Sequence, residues 1–336
     1  MHNVVFNNIK FLFNVLKRRP LFKNYYSSFI KYILIKYKIS SDKVLFIKCS
    51  ENEVDRMYID PIDFSLILHL YVDGVITNVD CSNKLVVAFN GSLIPIEEVA
   101  FGGYAVGEAL KRGWTYDLYN SYWVRNGVKF RHMHGLIIEV FDGEYDFVDV
   151  NNRVVVDVGA FIGDSAVYFA LRGAKRIYAI EPHPVAFKWM LENVRLNGLE
   201  DRVVPINVAL GSKVGSLKIP NISVGETGYV YYGVGSSGEI EVPMMTLSRL
   251  VEEYNIETDI LKLDCEGCEF DIIFNDFASV KRFNEIILEY HTYQSSHNVE
   301  ELLGILGEVF KCNVLKEKVV PCHKNGNLGL IYCRKI

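Results

Sequence analysis

The sequence lacks any apolar run long enough to cross a membrane. Its longest near-unbroken stretch, Phe64–Val72, contains His69 and falls far short of the roughly 20 residues that a spanning helix needs. Cysteine is sparse: seven in 336 residues, an odd number without the spacing of small cystine-built domains. That usage points to a reducing compartment and to free thiols. Cys265 and Cys268 have C-x-x-C spacing, yet only the scattered Cys312, Cys322 and His323 follow. A structural zinc needs two further ligands, so two small, half-buried thiols are expected. Negative charge is absent from the first 40 residues, which carry eight basic side chains (Lys10, Lys17, Arg18, Arg19, Lys23, Lys31, Lys36 and Lys38) and no Asp or Glu. The net charge of −5 therefore divides into +8 on residues 1–40 and −13 on the rest, an asymmetry that suggests an anionic partner for the basic end. That end does not read as a secretory signal, because Lys10 and Asn14 interrupt its apolar residues and no small-residue cleavage site follows.

What is present is a core. Half of the residues are apolar, 13% aromatic and 23% charged, which excludes disordered and collagen-like chains. The length suits about two domains at roughly 150 residues each. Residues 1–42 read as a basic amphipathic helical arm jointed at Pro20, with Phe29, Ile33 and Tyr37 at helical spacing. Residues 43–150 read as an accessory, substrate-side α+β region. It has short strands at Val44–Cys49 and Leu85–Phe89, a helix at Val106–Arg112 and a strand at Leu136–Val140. Gly102, Gly103 and Gly107 read as a turn feeding a helix, and the aromatic run from Trp114 to Trp123 as packing. From residue 151 the pattern changes. Val/Ile-rich runs such as Val154–Val158, Arg176–Ile180 and Ile260–Leu263 alternate with helix-like segments. Strands that are apolar on both faces, separated by helices, predict a doubly wound parallel sheet. The Gly- and Ser-rich segment Gly211–Val242 reads as an inserted hairpin and loop.

Such sheets bind ligands beyond the carboxyl ends of their strands. The first strand runs into Asp157-Val158-Gly159-Ala160-Phe161-Ile162-Gly163-Asp164. Its Gly-x-x-x-Gly spacing is not the Gly-x-Gly-x-x-Gly that seats a pyrophosphate on a helix N-terminus, and Asp157 would repel one. An acid there suits a sulfonium or ammonium group. The second strand ends in Glu181, where a carboxylate can accept from both hydroxyls of a ribose. A nucleoside carrying a positive appendage fits the two acids, which points to S-adenosylmethionine. A fourth strand delivers Lys262-Leu263-Asp264-Cys265-Glu266-Gly267-Cys268-Glu269, and the next ends in Glu289-Tyr290-His291. Carboxylates this close repel one another unless a cation, a base function or Lys262 compensates. Asp264, Glu266 and His291 are accordingly the candidate catalytic set, against the alternative that the two acids merely cap a helix.

These residues resemble the FkbM family of S-adenosylmethionine-dependent methyltransferases. The likeness rests on Val155–Ser165, Glu181-Pro182, Asn193-x-x-x-Asn197 and Leu261–Glu269, and spans about residues 135–333. Phe161 stands where Asn is common after Gly-Ala, which bears on one polar contact and not on cofactor binding. The resemblance implies a Rossmann-like, mostly parallel seven-stranded methyltransferase sheet over residues 151–336 and methyl transfer, most often to a hydroxyl oxygen. By position it implies that Asp157, Gly159, Ala160, Phe161, Gly163, Asp164, Glu181 and Pro182 line the cofactor, with Asn207 near its adenine end. His291, with an ordinary pKa near 6.5, would act as general base, oriented by Glu266 or Asp264. No metal site is favoured; a divalent metal on Asp264, Glu266 and His291, polarising the hydroxyl, is the lesser alternative. The expected acceptor is a small molecule, sugar or lipid-linked glycan. The competing class is a nucleoside-binding protein without methyl transfer, such as a dehydrogenase, recruited to an anionic surface by its basic arm. For residues 1–40 the expectations are packing on the acidic body or peripheral contact with an anionic membrane surface, in a cytoplasmic protein. Nucleic acid is disfavoured, because nine aromatics among 40 residues suit an interfacial helix better than a phosphate-tracking tail.

Overall fold

In the computed structural model, residues 11, 13–51, 55–221, 238–319 and 327–336 are described. The chain divides into two compact units, Met1–Ile138 and Glu139–Ile336. In the first, helix Tyr25–Lys36 buries Tyr25, Phe29 and Tyr32; of the three residues whose spacing predicts it, Phe29 is buried and Tyr37, just past its end, is exposed. Helix Pro61–Val72 starts where Asp60 accepts from the Ile62 N–H with Pro at the first turn, a strong start signal. Strands Leu45–Lys48 and Arg56–Ile59 pair antiparallel, and two three-stranded antiparallel sheets complete the unit. Trp114 and Trp123 are fully buried and Tyr116 packs edge-on against Trp123, so these members of the aromatic run are packing, as expected, whereas Tyr119 is 94% exposed.

In the second unit, the large sheet and its main helices run β1 Val154–Val158, α1 Asp164–Leu171, β2 Arg176–Ile180, α2 Pro184–Leu196, β3 Val203–Ile206, α3 Leu247–Glu253, β4 Ile260–Leu263, α4 Cys268–Asn275, β5 Glu285–His291, α5 Val299–Leu306, β6 Phe310–Val319 and β7 Asn327–Lys335. The strand order is β3-β2-β1-β4-β5-β7-β6. Strands β1 to β5 are parallel, while β7 runs antiparallel to β5 and β6. This is the Rossmann-like, mostly parallel seven-stranded sheet that the resemblance implies. All residues of β1 and β4 are buried, as strands covered on both faces must be. After β1 the chain moves outward to β2 and β3, then returns to place β4 on the other side of β1. The crevice at this reversal is where ligands bind in open α/β sheets. Between β3 and α3, strand Gly215–Ile219 pairs antiparallel with Ile240–Met245. This is the expected inserted hairpin, whose connecting residues 222–237 lie outside the described residues.

Three expectations are corrected. Leu136–Val140 is not a strand: Gly135–Glu139 is helical and a π-turn spans Val140–Glu144. The His134 ring accepts from the Leu136 N–H at 3.2 Å and starts that helix, whereas a five-residue segment with four apolar residues is too short for periodicity to tell helix from strand. Residues 139–150 cluster with the second unit, because the buried Tyr145 ring packs at 5.3 Å on Phe169 of α1. Cysteines also pair, as Cys49–Cys81, Cys265–Cys268 and Cys312–Cys333. Cys312 and Cys333 face one another across β6 and β7, a proximity that spacing along the chain does not reveal. The pairing withdraws the cysteine count as a ground for a reducing compartment. Among the described residues, no helix is long and apolar enough to cross a membrane.

Candidate active site

The loop after β1 is shaped by a close approach. Gly159 has φ +78°, and a Cβ there would lie 1.7 Å from the Asp264 carbonyl oxygen. The turns leaving β1 and β4 touch at the crevice, so glycine is required by contact as well as by conformation. Neighbouring elements pin the loop. Gly159 and Ala160 donate their N–H groups to the Ile180 carbonyl of β2 at 3.0 and 2.9 Å, and the Phe161 N–H donates to Glu181 Oε2 at 3.0 Å. From α2, buried Asn193 donates to the Ile162 carbonyl at 2.9 Å. Phe161 is buried and left-handed at φ +46°. Gly163, at φ +86°, precedes the first residue of α1.

Three acids surround this loop in different states. Asp157, fully buried, accepts from Ser165 Oγ at 2.7 Å and lies 3.0 Å from Lys262 Nζ. Asp157 and Lys262 are register partners across β1 and β4, so Asp157 faces a resident ammonium rather than the open crevice. Asp164 is 5% exposed and its Oδ1 has no hydrogen-bond partner; burial pushes its pKa up to about 7 against the pull of Lys262. Glu181 accepts from the Phe161 and His183 N–H groups, and burial still raises its pKa to about 7. Asn207 donates to the Glu181 and Pro182 carbonyls at 2.8 and 3.1 Å, which places all three residues on one rim.

The second half of the site is an acid–histidine rim at the ends of β4 and β5. His291, 2% exposed, ends β5. Its Nδ1 and its backbone N–H both donate to Glu269 Oε1, at 2.9 and 3.2 Å. Glu269, fully buried on α4, also accepts from the Gly267 N–H at 2.8 Å. Thus Glu269, and not Glu266 or Asp264, orients the imidazole. His291 Nε2 lies 3.5 Å from Glu266 Oε1 and 3.8 Å from Glu289 Oε1. Asp264 Oδ2 lies 3.4 Å from Lys262 Nζ, and Tyr293 Oη donates to Glu266 Oε2 at 3.4 Å. Asp264, Glu289 and His291 each bring a ligand atom within 4.8 Å of the other two. Burial alone would lower the His291 pKa, but the Glu269 and Glu266 carboxylates outweigh it and raise it to about 10, well above the ordinary value expected from sequence. Burial pushes Glu266 up to about 7 and Glu289 well above the carboxylate range. The structure therefore brings Asp264, Glu266 and His291 together and adds two residues that sequence reasoning left without a role. Glu289 was findable, since it lies two residues before His291 on a strand and so shares its face. Glu269 closes the acidic motif, but its turn toward β5 depends on α4 packing.

Residues 157–314 match the family model described as the methyltransferase FkbM domain. The chain carries an FkbM methyltransferase domain. It is 24% identical over 176 residues to hexuronic acid methyltransferase AglP of Haloferax volcanii, covering 51% of this chain and 71% of that protein. A shorter match, 48% identical over 54 residues, links it to ribosomal protein L11 methyltransferase of Carboxydothermus hydrogenoformans, covering 16% of this chain and 18% of that one. Among solved structures, a putative transferase from Pyrococcus horikoshii aligns over 82% of this chain and 84% of its own, with 16% identity and a TM-score of 0.42.

The chain's own residues fit the cofactor of an FkbM domain. Beside the glycine turn, the buried Asp164 Oδ1 is an acceptor without a hydrogen-bond partner, and an unmatched buried acceptor is costly. Glu181 is anionic above about pH 7 and stands at the end of β2, where a ribose is gripped in related sheets. S-adenosylmethionine brings both an ammonium and a ribose to such a rim.

Proposed function

We propose that the FkbM domain transfers a methyl group from S-adenosylmethionine to a hydroxyl oxygen of a small molecule, sugar or lipid-linked glycan. The observation that carries this reading is the partly open Glu266 carboxylate, backed by His291, on the strand end that touches the glycine turn. On this reading Gly159, Ala160, Phe161, Gly163, Asp164, Glu181, Pro182 and Asn207 hold the cofactor, with Asp157 fixing Lys262 behind them. When bound, the cofactor supplies an electrophilic methyl on a charged sulfonium, so alignment does most of the catalysis. Glu266 would take the hydroxyl proton of the acceptor as that oxygen receives the methyl. Glu266 has a side chain 17% exposed and His291 2%, so the carboxylate meets the acceptor and the imidazole positions it from behind. The sequence expects the reverse division, with His291 as base. The Haloferax relative, a hexuronic acid methyltransferase, supports a sugar as acceptor.

A variant test separates these roles. Glu266→Gln is expected to lower kcat by about 10²–10⁴-fold, the usual worth of a general base, with little change in KM for the cofactor. Full turnover in that variant removes Glu266 from the reaction. Incubating the protein and radiolabelled S-adenosylmethionine with fractionated extract of the source cells identifies the acceptor class. Label in glycan or small-molecule fractions supports the proposal, and label confined to RNA overturns it. Calorimetry tests the competing class: S-adenosylhomocysteine should bind and NAD should not.

Residues 1–40 support a second, independent element of function, contact with the anionic inner face of a membrane. The helix Tyr25–Lys36 leaves Tyr26, Ile30 and Leu34 exposed opposite its buried face, within a segment that has no acidic residue.

A further inference from the structure

We propose that Asp264, Glu289 and His291 form a binding site for one divalent cation, of which Mn²⁺ and Mg²⁺ are the best matched. The three donors converge from two adjacent parallel strands. Asp264 follows the last residue of β4, and Glu289 and His291 lie two apart on β5. Their ligand atoms all lie within 4.8 Å of one another, close to the roughly 4.0–4.6 Å between opposite ligands of one ion at bond lengths of about 2.0–2.3 Å, so small side-chain rotations bring all three onto it.

The group that would orient the imidazole is already in place. A metal-bound imidazole almost always donates its other N–H to a carboxylate, which fixes the tautomer and turns the free nitrogen toward the ion. Here the buried Glu269 takes the Nδ1 hydrogen at 2.9 Å. Nε2 then lies 3.8 Å from Glu289 Oε1 of the site and 3.5 Å from Glu266 Oε1 beside it, both too far for a good hydrogen bond. Local charge asks for the same thing. Lys262 sits 3.0 Å from Asp157 and 3.4 Å from Asp264, so one ammonium serves two carboxylates and no lysine or arginine is paired with Glu289 among the ion pairs of the described residues. Two carboxylates and one imidazole form a hard, mixed donor set that suits Mn²⁺ and Mg²⁺ and lacks the thiolates that select softer ions. Glu266, beside the site and not in it, remains open as a base. Use of the cation to polarise the acceptor hydroxyl rests on the methyl-transfer reading; its binding does not.

The test is a titration of the full-length, EDTA-dialysed protein with MnCl₂, read by the electron paramagnetic resonance signal of free Mn²⁺. One saturable site is expected, weakened at least tenfold in both Glu289→Gln and Asp264→Asn, with Glu285→Gln at the other end of β5 as the control. Because a buried variant can misfold, the native protein is also read by pulsed resonance for ¹⁴N coupling of a coordinated imidazole. Absence of a saturable site, absence of that coupling, or equal binding in wild type and both variants overturns the proposal. Labelled methyl transfer is followed in the same samples. Binding without transfer upholds the site and removes the methyl-transfer reading, whereas transfer that survives EDTA with no Mn²⁺ binding does the opposite.

Discussion

Glycine at position 159 answers to a specific atom, the Asp264 carbonyl that a Cβ would meet at 1.7 Å. Left-handed strain and overpacking together make Gly159→Ala cost about 2–5 kcal/mol and should abolish S-adenosylhomocysteine binding. Gly198 has φ +65° but open space around its Cβ position, so Gly198→Ala should cost only the conformational share, about 1–2 kcal/mol. Urea melts of the two variants check the difference; equal losses would mean that the two loops do not meet as described. Glu181 carries a pH prediction. Its neighbours are the Phe161 and His183 N–H groups, with Lys262 and Asp157 acting at longer range, and burial holds it near 7 against an ordinary 4.5. Between those values the native state holds a proton that the unfolded chain has released, so this group's contribution to stability falls as pH rises from about 4.5 to 7. Ribose recognition runs the other way, because the ionised form is the acceptor. S-adenosylhomocysteine affinity should rise up to about tenfold from pH 6 to 8, as a group titrating near 7 allows. Calorimetry on Glu181→Gln should show that slope reduced to whatever Asp164, also near 7, contributes. At this scale the sequence located Asp157, Glu181 and Asp264 because strand ends are legible. It missed that Asp157 is matched to Lys262, since that contact depends on the β1–β4 register.

The turn from β4 into α4 shows how an element can hold an unfavourable residue in place. Glu266 is left-handed at φ +53°, a conformation that costs a non-glycine residue about 1–2 kcal/mol, and the Cys265–Cys268 disulfide closes the turn around it. Replacing both cysteines by serine should lower kcat by tenfold or more, since displacements of about 1 Å at reacting groups cost up to about 10²-fold. The short loop makes the loss of stability modest, about 2 kcal/mol, against about 4 kcal/mol for removing Cys49–Cys81, which spans 32 residues. Thermal melts and turnover should therefore rank the two disulfides in opposite orders; the same order by both measures would show that the turn is held by other contacts. Elements were legible in proportion to their apolar signal. Ile260–Leu263 is observed with the bounds predicted, and β5 ends at His291 as the sequence leads one to expect. Its last turns of chain carry Glu289 and His291, polar residues that end an apolar run without ending a strand. Those are the residues that furnish the site.

Charge, at the scale of the molecule, divides more sharply than composition suggests: +8 on residues 1–40 and −13 on the remainder. The basic segment is not a detachable arm, because Val15, Phe22, Tyr25, Phe29 and Tyr32 are buried in the first unit. Deleting residues 1–40 would strip that core and confuse unfolding with loss of contact. Substitution on the outward face avoids this. Tyr26, Ile30, Leu34 and Tyr37 are 44%, 59%, 36% and 58% exposed and follow helical spacing along one side, with Lys36 in the last turn. Apolar side chains flanked by lysines on a helix surface suit the boundary of an anionic bilayer, where each nearby basic residue contributes about 1 kcal/mol. Co-sedimentation should show binding to phosphatidylserine-containing vesicles that weakens as salt is raised, is small on phosphatidylcholine alone, and is lost in Ile30→Glu/Leu34→Glu. Binding that survives both substitutions, or that does not distinguish the two lipids, removes the membrane surface as the anionic partner. Salt-sensitive binding to RNA in place of vesicles would assign the same charge to phosphates of another kind. The apolar face decides between these partners, because counterion release from a nucleic acid rewards the lysines and leaves Ile30 and Leu34 with nothing to bury them.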